Sequence, residues 1–323
     1  MKSIERISRA QRGLTLVELM VSMALGLLVV LVASAGFIAS KQLFTTDSQS
    51  QALQDSSRFA SYLVRTIVQQ SAYTDYTPDV DTRAVASALT LAPTGSIYDL
   101  SLAGATRVGS AVPASAIGYG TNDSAPRGDL GNDSLMVRFF ARADWEVGDS
   151  DQSDGTMINC AGLQPEPPGA SPSLDDRAWS VFYVAQGTAG EPELFCKYRD
   201  NSGAFKSVSV VRGVEVFKVV YGVDTDNDAD MTPNAWMDAG QIKDAEIAGA
   251  RTEIEKWRRV TAVRIGMVIR SASGAARTGS APETIKPLGA EFDDVSFTPT
   301  DDGRLRRAVT QTVVIRNPLR APA

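Results

Sequence analysis

The sequence Arg12-Gly13-Leu14-Thr15-Leu16-Val17-Glu18-Leu19-Met20 begins the long apolar segment of this chain. A basic stretch precedes it, and Glu18 is the only charged residue between Leu14 and Ser40. A carboxylate in an apolar helix carries a free-energy cost, so it is usually paired or functional. The interpretation of the whole chain therefore starts from this segment.

Residues 19–39 are uncharged and mostly apolar, and these 21 positions are enough for a membrane-spanning helix. Basic residues on its N-terminal side predict that this end is cytoplasmic, whereas the chain beyond residue 41 faces the periplasm or the outside. The basic residues of this leader are Lys2, Arg6, Arg9 and Arg12.

Three interpretations of this segment are possible. It is a signal anchor, with Glu18 reaching the membrane edge, or a secretory signal cleaved after Ala35, at a small-x-small site. In the third, cleavage after Gly13 makes Leu14 the new N-terminus. Its amino group could then pair with Glu18 of a neighbouring copy, offset by about one helical turn. Only the third interpretation explains why a carboxylate lies within the apolar segment.

Composition narrows the classes of function. The 323 residues contain no histidine, which excludes Ser-His-Asp and Cys-His catalysis and histidine-ligated zinc or iron sites. We therefore expect a structural or binding protein, with no catalytic residue. The net charge is −6, of which the first thirteen residues contribute +3 and the rest −9. The negative net charge of the chain beyond residue 13 disfavours a nucleic-acid partner.

Two cysteines, Cys160 and Cys196, lie 36 positions apart without a CxxC spacing. If this part of the chain is exported, a disulfide between them is expected. The alternative is a pair of buried free thiols.

The helix should continue beyond the membrane, because residues 41–73 contain neither proline nor glycine. A continuous helix over residues 15–73 would be roughly 90 Å long. One apolar stripe on it is predicted to pack against a sheet, and it consists of Leu53, Ala60, Leu63, Val64, Ile67 and Val68.

After residue 73 the pattern changes to short alternating runs separated by turn residues, which predicts antiparallel strands. Residues 241–257 predict one amphipathic helix, and residues 104–131 and 143–176 predict long loops. The expected strands lie at residues 135–140, 179–183, 215–221, 263–269 and 308–316.

An acidic run is the candidate metal site, with carboxylates at Asp224, Asp226, Asp228 and Asp230. This alternation resembles the start of a calcium loop. However, Ala229 and Ala235 replace the glycine and glutamate that an EF-hand requires. A solvated acidic turn is therefore preferred, with calcium as the alternative. The basic residues at 304–307 are interpreted as a solvated strand end.

Residues 13–21 resemble the prepilin cleavage and methylation motif of type IV pilins and type II secretion pseudopilins. The resemblance implies cleavage after Gly13 by prepilin peptidase, N-methylation of Leu14 and a role for Glu18 in fibre incorporation. Leu14 replaces the usual phenylalanine, and the segment lacks the proline found in many major pilins.

Further runs resemble the PilW-type minor pilins, in the expected order. They lie at residues 57–60, 132–138, 159–162, 213–224, 260–270 and 313–317. The resemblance implies an α+β, pilin-like fold. Its parts would be a leader at residues 1–13, a helix at 14–73 and a β-rich head at 74–323.

The implied function is that of a minor pilin at or near the pilus tip, which primes fibre assembly. Implied partners are prepilin peptidase, other minor pilins, the major pilin and the assembly platform. The chain would cross the inner membrane once and then reach the cell surface. The alternatives are a type II secretion pseudopilin and a secreted β-rich adhesin or hydrolase cleaved after Ala35.

Overall fold

A computed structural model describes residues 13–73, 100–108, 112, 115, 118–120, 131–144, 149–168, 176–226, 228, 230–276, 278–279 and 282–317. Leader positions 1–12, most of the predicted loop at 104–131 and part of that at 143–176 lie outside the described residues. The chain forms two compact units, at residues 1–48 and 49–323.

Helix α1 spans Leu16–Gln69, 54 residues. Its apolar side chains in the first unit are exposed, and by length and composition this helix could cross a membrane. In the second unit, the predicted apolar stripe is buried. The long helix and its packing stripe are therefore confirmed, and the buried residues are Leu53, Ser57, Ala60, Leu63, Val64, Ile67 and Val68.

The second unit contains two larger antiparallel sheets and a two-stranded ribbon. The first sheet has the order β1-β2-β5-β6-β7, formed by Leu102–Ala105, Ser134–Phe139, Ala178–Gln186, Pro192–Arg199 and Phe205–Arg212. The second has the order β11-β10-β8-β9, formed by Arg306–Val314, Val260–Arg270, Val214–Val223 and Ala235–Met237. The ribbon pairs β3 (Ala143–Asp144) with β4 (Asp149–Ser153). The α+β prediction is confirmed.

The single amphipathic helix predicted at residues 241–257 is wrong. The segment forms two short helices, α2 (Ala239–Asp244) and α3 (Glu253–Trp257), each opened by its own capping box. Between them Gly249 has a φ of +73°, a conformation that ends helical periodicity. The apolar positions that suggested one helix are nevertheless all buried, at Ile247, Ala250, Ile254 and Trp257.

One hydrophobic cluster joins the helix stripe to both sheets. Val64 and Ile67 of α1 belong to the same buried cluster as Leu135 of β2 and Phe217 of β8. Burial of a large apolar side chain contributes roughly 1.5–3 kcal/mol. Residues 49–69 are therefore held to the sheets mainly by apolar packing.

The predicted disulfide is confirmed. Cys160 and Cys196 are bonded, with their Cα atoms 5.6 Å apart, and both residues are buried. The bond ties the segment after β4 to strand β6. The alternative of two free thiols is wrong.

The end of α1 is hydrogen-bonded to this disulfide-linked segment. Gln70 Nε2 donates to the Ile158 carbonyl oxygen at 3.0 Å, and the Ile158 N–H donates to Gln70 Oε1 at 3.1 Å. Gln70 is nine-tenths buried. Water therefore cannot replace either of these hydrogen bonds without a cost in free energy. Since Ile158 is two residues from Cys160, the helix end is connected through it to β6.

The three residues after Gln70 join α1 to both sheets. Asn317, beyond β11, donates through Nδ2 to the Ser71 carbonyl at 2.9 Å. Ala72 N–H donates to the Arg138 carbonyl of β2 at 3.1 Å, and Phe140 N–H donates to the Tyr73 carbonyl at 3.0 Å. We call residues 70–73 with these hydrogen bonds the socket.

A second set of hydrogen bonds, which we call the Asn132–Asp133 clasp, connects the two sheets directly. Asn132 Oδ1 accepts from the Phe217 N–H at 2.7 Å, and Asp133 N–H donates to the Phe217 carbonyl at 2.9 Å. Asp133 also accepts from Lys218 Nζ at 2.9 Å and from the Val219 N–H at 2.9 Å. The residues before β2 thus pair with β8 of the other sheet.

The socket makes a prediction about stability. Gln70→Leu would remove the hydrogen-bond partner of both backbone groups of the partly buried Ile158, so we expect the free energy of unfolding to fall by about 1–3 kcal/mol. The neighbouring Gln69→Leu should change it by less than about 0.5 kcal/mol. Denaturant unfolding of the full chain in detergent measures both, and equal effects would show that the socket bonds are unimportant.

Candidate functional site

The first turn of α1 contains a capping box formed by Thr15 and Glu18. Glu18 Oε2 accepts from the Thr15 backbone N–H and from Thr15 Oγ1, both at 3.1 Å. The Glu18 N–H in turn donates to Thr15 Oγ1 at 3.3 Å. A carboxylate at this position also lies near the positive end of the helix dipole. Glu18 therefore has partners within its own chain.

This intrachain role was not predicted from the sequence. The signal was present, because threonine followed three positions later by glutamate is the sequence pattern of a capping box. From the sequence alone, Glu18 is expected either to reach the membrane edge or to pair with a neighbouring copy. The structure shows that the carboxylate is satisfied in the single chain.

The residues at the predicted cleavage site are accessible. Gly13 and Leu14 precede the helix, and among the described residues no atom other than those of its chain neighbours lies within 4 Å of the position of a Cβ on Gly13. The Leu14 side chain is exposed, as are the large apolar side chains between it and Phe44. An apolar surface of this extent requires cover by lipid or by other apolar helices.

The acidic run brings three of its four carboxylates together. Ligand oxygens of Asp224, Asp226 and Asp228 all lie within 4.8 Å of one another. Asp224 is buried and pairs with Arg259, whose Nη1 is 3.5 Å from Asp224 Oδ2. Asp226 Oδ2 accepts from Asn234 Nδ2 at 2.8 Å. Asp228 Oδ1 accepts from the Asp230 N–H, so all three carboxylates already have protein partners.

Asp230 belongs to the turn but not to the cluster. Its Oδ1 accepts from the Thr232 N–H at 2.6 Å, and its own N–H donates to Asp228 Oδ1 at 3.1 Å. The hydrogen bond from the Thr232 backbone lowers the pKa of Asp230. Asn227 and Ala229 lie outside the described residues.

Of the basic residues at 304–307, Arg307 is exposed as predicted, but the prediction of a solvated strand end is wrong for Arg304 and Arg306. Arg304 and Arg306 are largely buried and belong to a network with Arg270. Hydrogen bonds from Arg270 and Arg304 lower the pKa of Glu191. We call this set the arginine network; its members are Arg270, Arg304, Arg306, Glu191, Glu215 and Asp302.

Comparison with known proteins gives two family matches. Residues 181–317 match the family described as Type IV Pilus-assembly protein W, and residues 8–34 match the Prokaryotic N-terminal methylation motif. No curated protein matches the chain significantly.

Among solved structures, the chain is similar to a type IV-like pilin from Thermus thermophilus. The two are 13% identical, the match covers 58% of this chain and 78% of that chain, and the TM-score is 0.30. A TM-score this low does not support any structural argument.

The two family matches fall on different parts of the molecule. The match at residues 8–34 contains the predicted cleavage site and Glu18, whereas the match at residues 181–317 contains strands β6 to β11 and most of β5. Together the two matches support a type IV pilus minor pilin of the PilW type.

Proposed function

We propose that prepilin peptidase cleaves this chain after Gly13 and N-methylates Leu14. The mature minor pilin then enters the fibre at or near its tip and primes assembly. The observation that supports the proposal best is Glu18, a carboxylate in a helix segment whose apolar side chains are all exposed. A fibre subunit can bury such a segment against the helices of its neighbours, and we propose no catalytic role.

Glu18 has two successive partners in this proposal. In the single chain its carboxylate accepts hydrogen bonds from Thr15. After cleavage, the amino group of Leu14 on a neighbouring subunit is a charged donor in apolar surroundings. Pairing it with Glu18 neutralises both charges, whereas leaving either unpaired is costly. The pair therefore favours helices offset by about one turn.

The proposed topology follows from the apolar segment. The helix crosses the inner membrane once, with a cytoplasmic N-terminus and a periplasmic head, and the assembled subunit is exposed on the cell surface. The proposed partners are prepilin peptidase, other minor pilins, the major pilin and the assembly platform. The match to the PilW family favours the pilus over a type II secretion pseudopilin.

Two substitutions at Glu18 separate charge pairing from helix capping. Glu18→Ala removes both functions. Glu18→Gln keeps an acceptor for Thr15 but cannot neutralise an amine. If charge pairing drives incorporation, we expect both variants to reduce the amount of this chain in purified fibres at least about tenfold, the equivalent of 1.4 kcal/mol.

The control for this experiment is the membrane fraction, where both variants should be present at the normal level. Normal incorporation of Glu18→Gln, with loss of Glu18→Ala, would show that capping alone matters. Normal incorporation of both would contradict the proposal.

For the acidic run we propose a turn held by its own hydrogen bonds, without bound calcium. The supporting observation is that Asp224 pairs with Arg259, and Asp226 with Asn234. A calcium ion needs six to eight oxygen ligands and would compete with these partners.

A calcium titration tests this proposal. Calcium at about 1 mM, the range of weak extracellular sites, should give no binding heat and no change in Tm. The double variant Asp226→Asn with Asp228→Asn is the control. A rise in Tm that this variant abolishes would establish a calcium site instead.

A further inference from the structure

The disulfide joins two parts of the head that are held in different ways. Cys196 lies in the interior strand β6, where it is paired with Phe182 of β5 and Val208 of β7. Cys160 lies in residues 157–163, which form neither helix nor strand and which we call the cysteine loop. Strand pairing on both sides fixes the position of Cys196, so the disulfide attaches the loop to a rigid element.

The cysteine loop lies between the five-stranded sheet and the end of α1. Hydrogen bonds to the Asn159 side chain close a turn within the loop. Outside that turn, the Cys160 N–H donates to Ser180 Oγ of β5 at 3.0 Å. Ile158 pairs with Gln70 through two hydrogen bonds of the socket. The loop therefore transmits the position of β5 and β6 to the helix end.

Without the disulfide, weaker contacts would attach the loop to the sheet. Those described are the hydrogen bond to Ser180 and the apolar packing of Met157 and Ile158. Loops with few such contacts open locally at a small cost in free energy. When the loop opens, Ile158 separates from Gln70, and the helix end loses one of its connections to the sheets.

We propose that the Cys160–Cys196 disulfide is a redox latch that fixes the register of α1 on the head. In the dithiol form both sheets persist, but the cysteine loop opens and no longer holds Gln70. In the disulfide form the loop holds Gln70, and the helix cannot slide. A slide by one residue would displace the helix by about 1.5 Å along its axis.

The latch forms by thiol–disulfide exchange. The two thiols lose two protons and two electrons as their S–S bond forms, and a disulfide-bearing oxidant accepts them and becomes a dithiol. Cys160 and Cys196 are only 1% and 0% exposed in the folded head. Because exchange requires access to a sulfur atom, the bond forms before the loop is packed and then resists reduction.

The consequence for assembly rests on the proposed function. Disulfides form outside the reducing cytoplasm, so the oxidised chain is one whose head has been exported. In a fibre, α1 packs among the helices of other subunits while the heads contact one another. A helix that slides on its own head would place that head at the wrong level. We therefore expect oxidised chains to be incorporated preferentially.

Hydrogen exchange of the full chain in detergent tests the latch. In the disulfide-bonded chain, Gln70→Leu should speed exchange of the Ala72 amide, which belongs to the socket, at least about tenfold. In the double variant Cys160→Ala with Cys196→Ala, Gln70→Leu should change it less than about twofold, because the connection through Ile158 is already open.

Asn317→Ala is the matched control. It removes the hydrogen bond to the Ser71 carbonyl, which does not involve the cysteine loop, so it should speed exchange by the same factor in both backgrounds. Equal acceleration by Gln70→Leu in both backgrounds would overturn the proposal. A double cysteine variant without protected strand amides would also overturn it, because the dithiol form must keep its sheets.

Fibre content distinguishes failure of the latch from failure of the proposed function. The double cysteine variant should reach the membrane at the normal level and start at Leu14, but its amount in purified fibres should fall at least about tenfold. Normal incorporation of this variant would overturn the latch and leave the proposed function intact. If the unsubstituted chain does not start at Leu14 or never enters fibres, the proposed function fails, whereas hydrogen exchange still decides whether the disulfide fixes the helix register.

Discussion

The hydrogen bonds at residues 70–73 are the constraint on which the head depends. A helix leaves its last carbonyl groups without intrahelical partners, and here the chain just beyond α1 is bonded to both sheets. Gln70 reaches the segment fixed by the disulfide, and Asn317 reaches the Ser71 carbonyl. Ala72, at a φ of 56°, turns the chain so that its N–H meets β2. Apolar packing alone would leave the helix free to slide along its axis, whereas these bonds fix its register.

Buried charged side chains of the head are likewise paired within the chain, as two examples show. Asp133 and Lys218 are both buried, and each is partnered, because an isolated buried ion is strongly destabilising. The arginine network uses Arg304 and Arg306 in the same way, so these residues do not form a free basic surface. Lys206 and Arg212 of β7 are more exposed, yet each also has a carboxylate partner, Asp200 and Glu193 respectively.

The sequence predicted the features that have a strong local signal. The apolar stripe of α1, the five strands and the cysteine pair all appear where expected, because periodicity and composition determine them. The prediction of one helix at residues 241–257 was wrong because the chain is already extended at Ala245, and Gly249, at a φ of +73°, lies between the two short helices. The socket and the Asn132–Asp133 clasp could not be predicted, because they join residues up to about 250 positions apart. Around Glu18 the processing motif of residues 13–21 was recognised from the sequence, but the capping box formed by Thr15 and Glu18 was not.

The central claim is that the N-terminal segment is a processed assembly helix, with Leu14 as the residue that Glu18 of a neighbour pairs with. The intact mass of the chain from purified fibres tests it most directly, because it reports both the cleavage position and the modification. The account predicts a chain that begins at Leu14, carries one N-methyl group and contains an intact Cys160–Cys196 disulfide. A mature chain that begins at Gly36, or one that keeps residues 1–13, would contradict it.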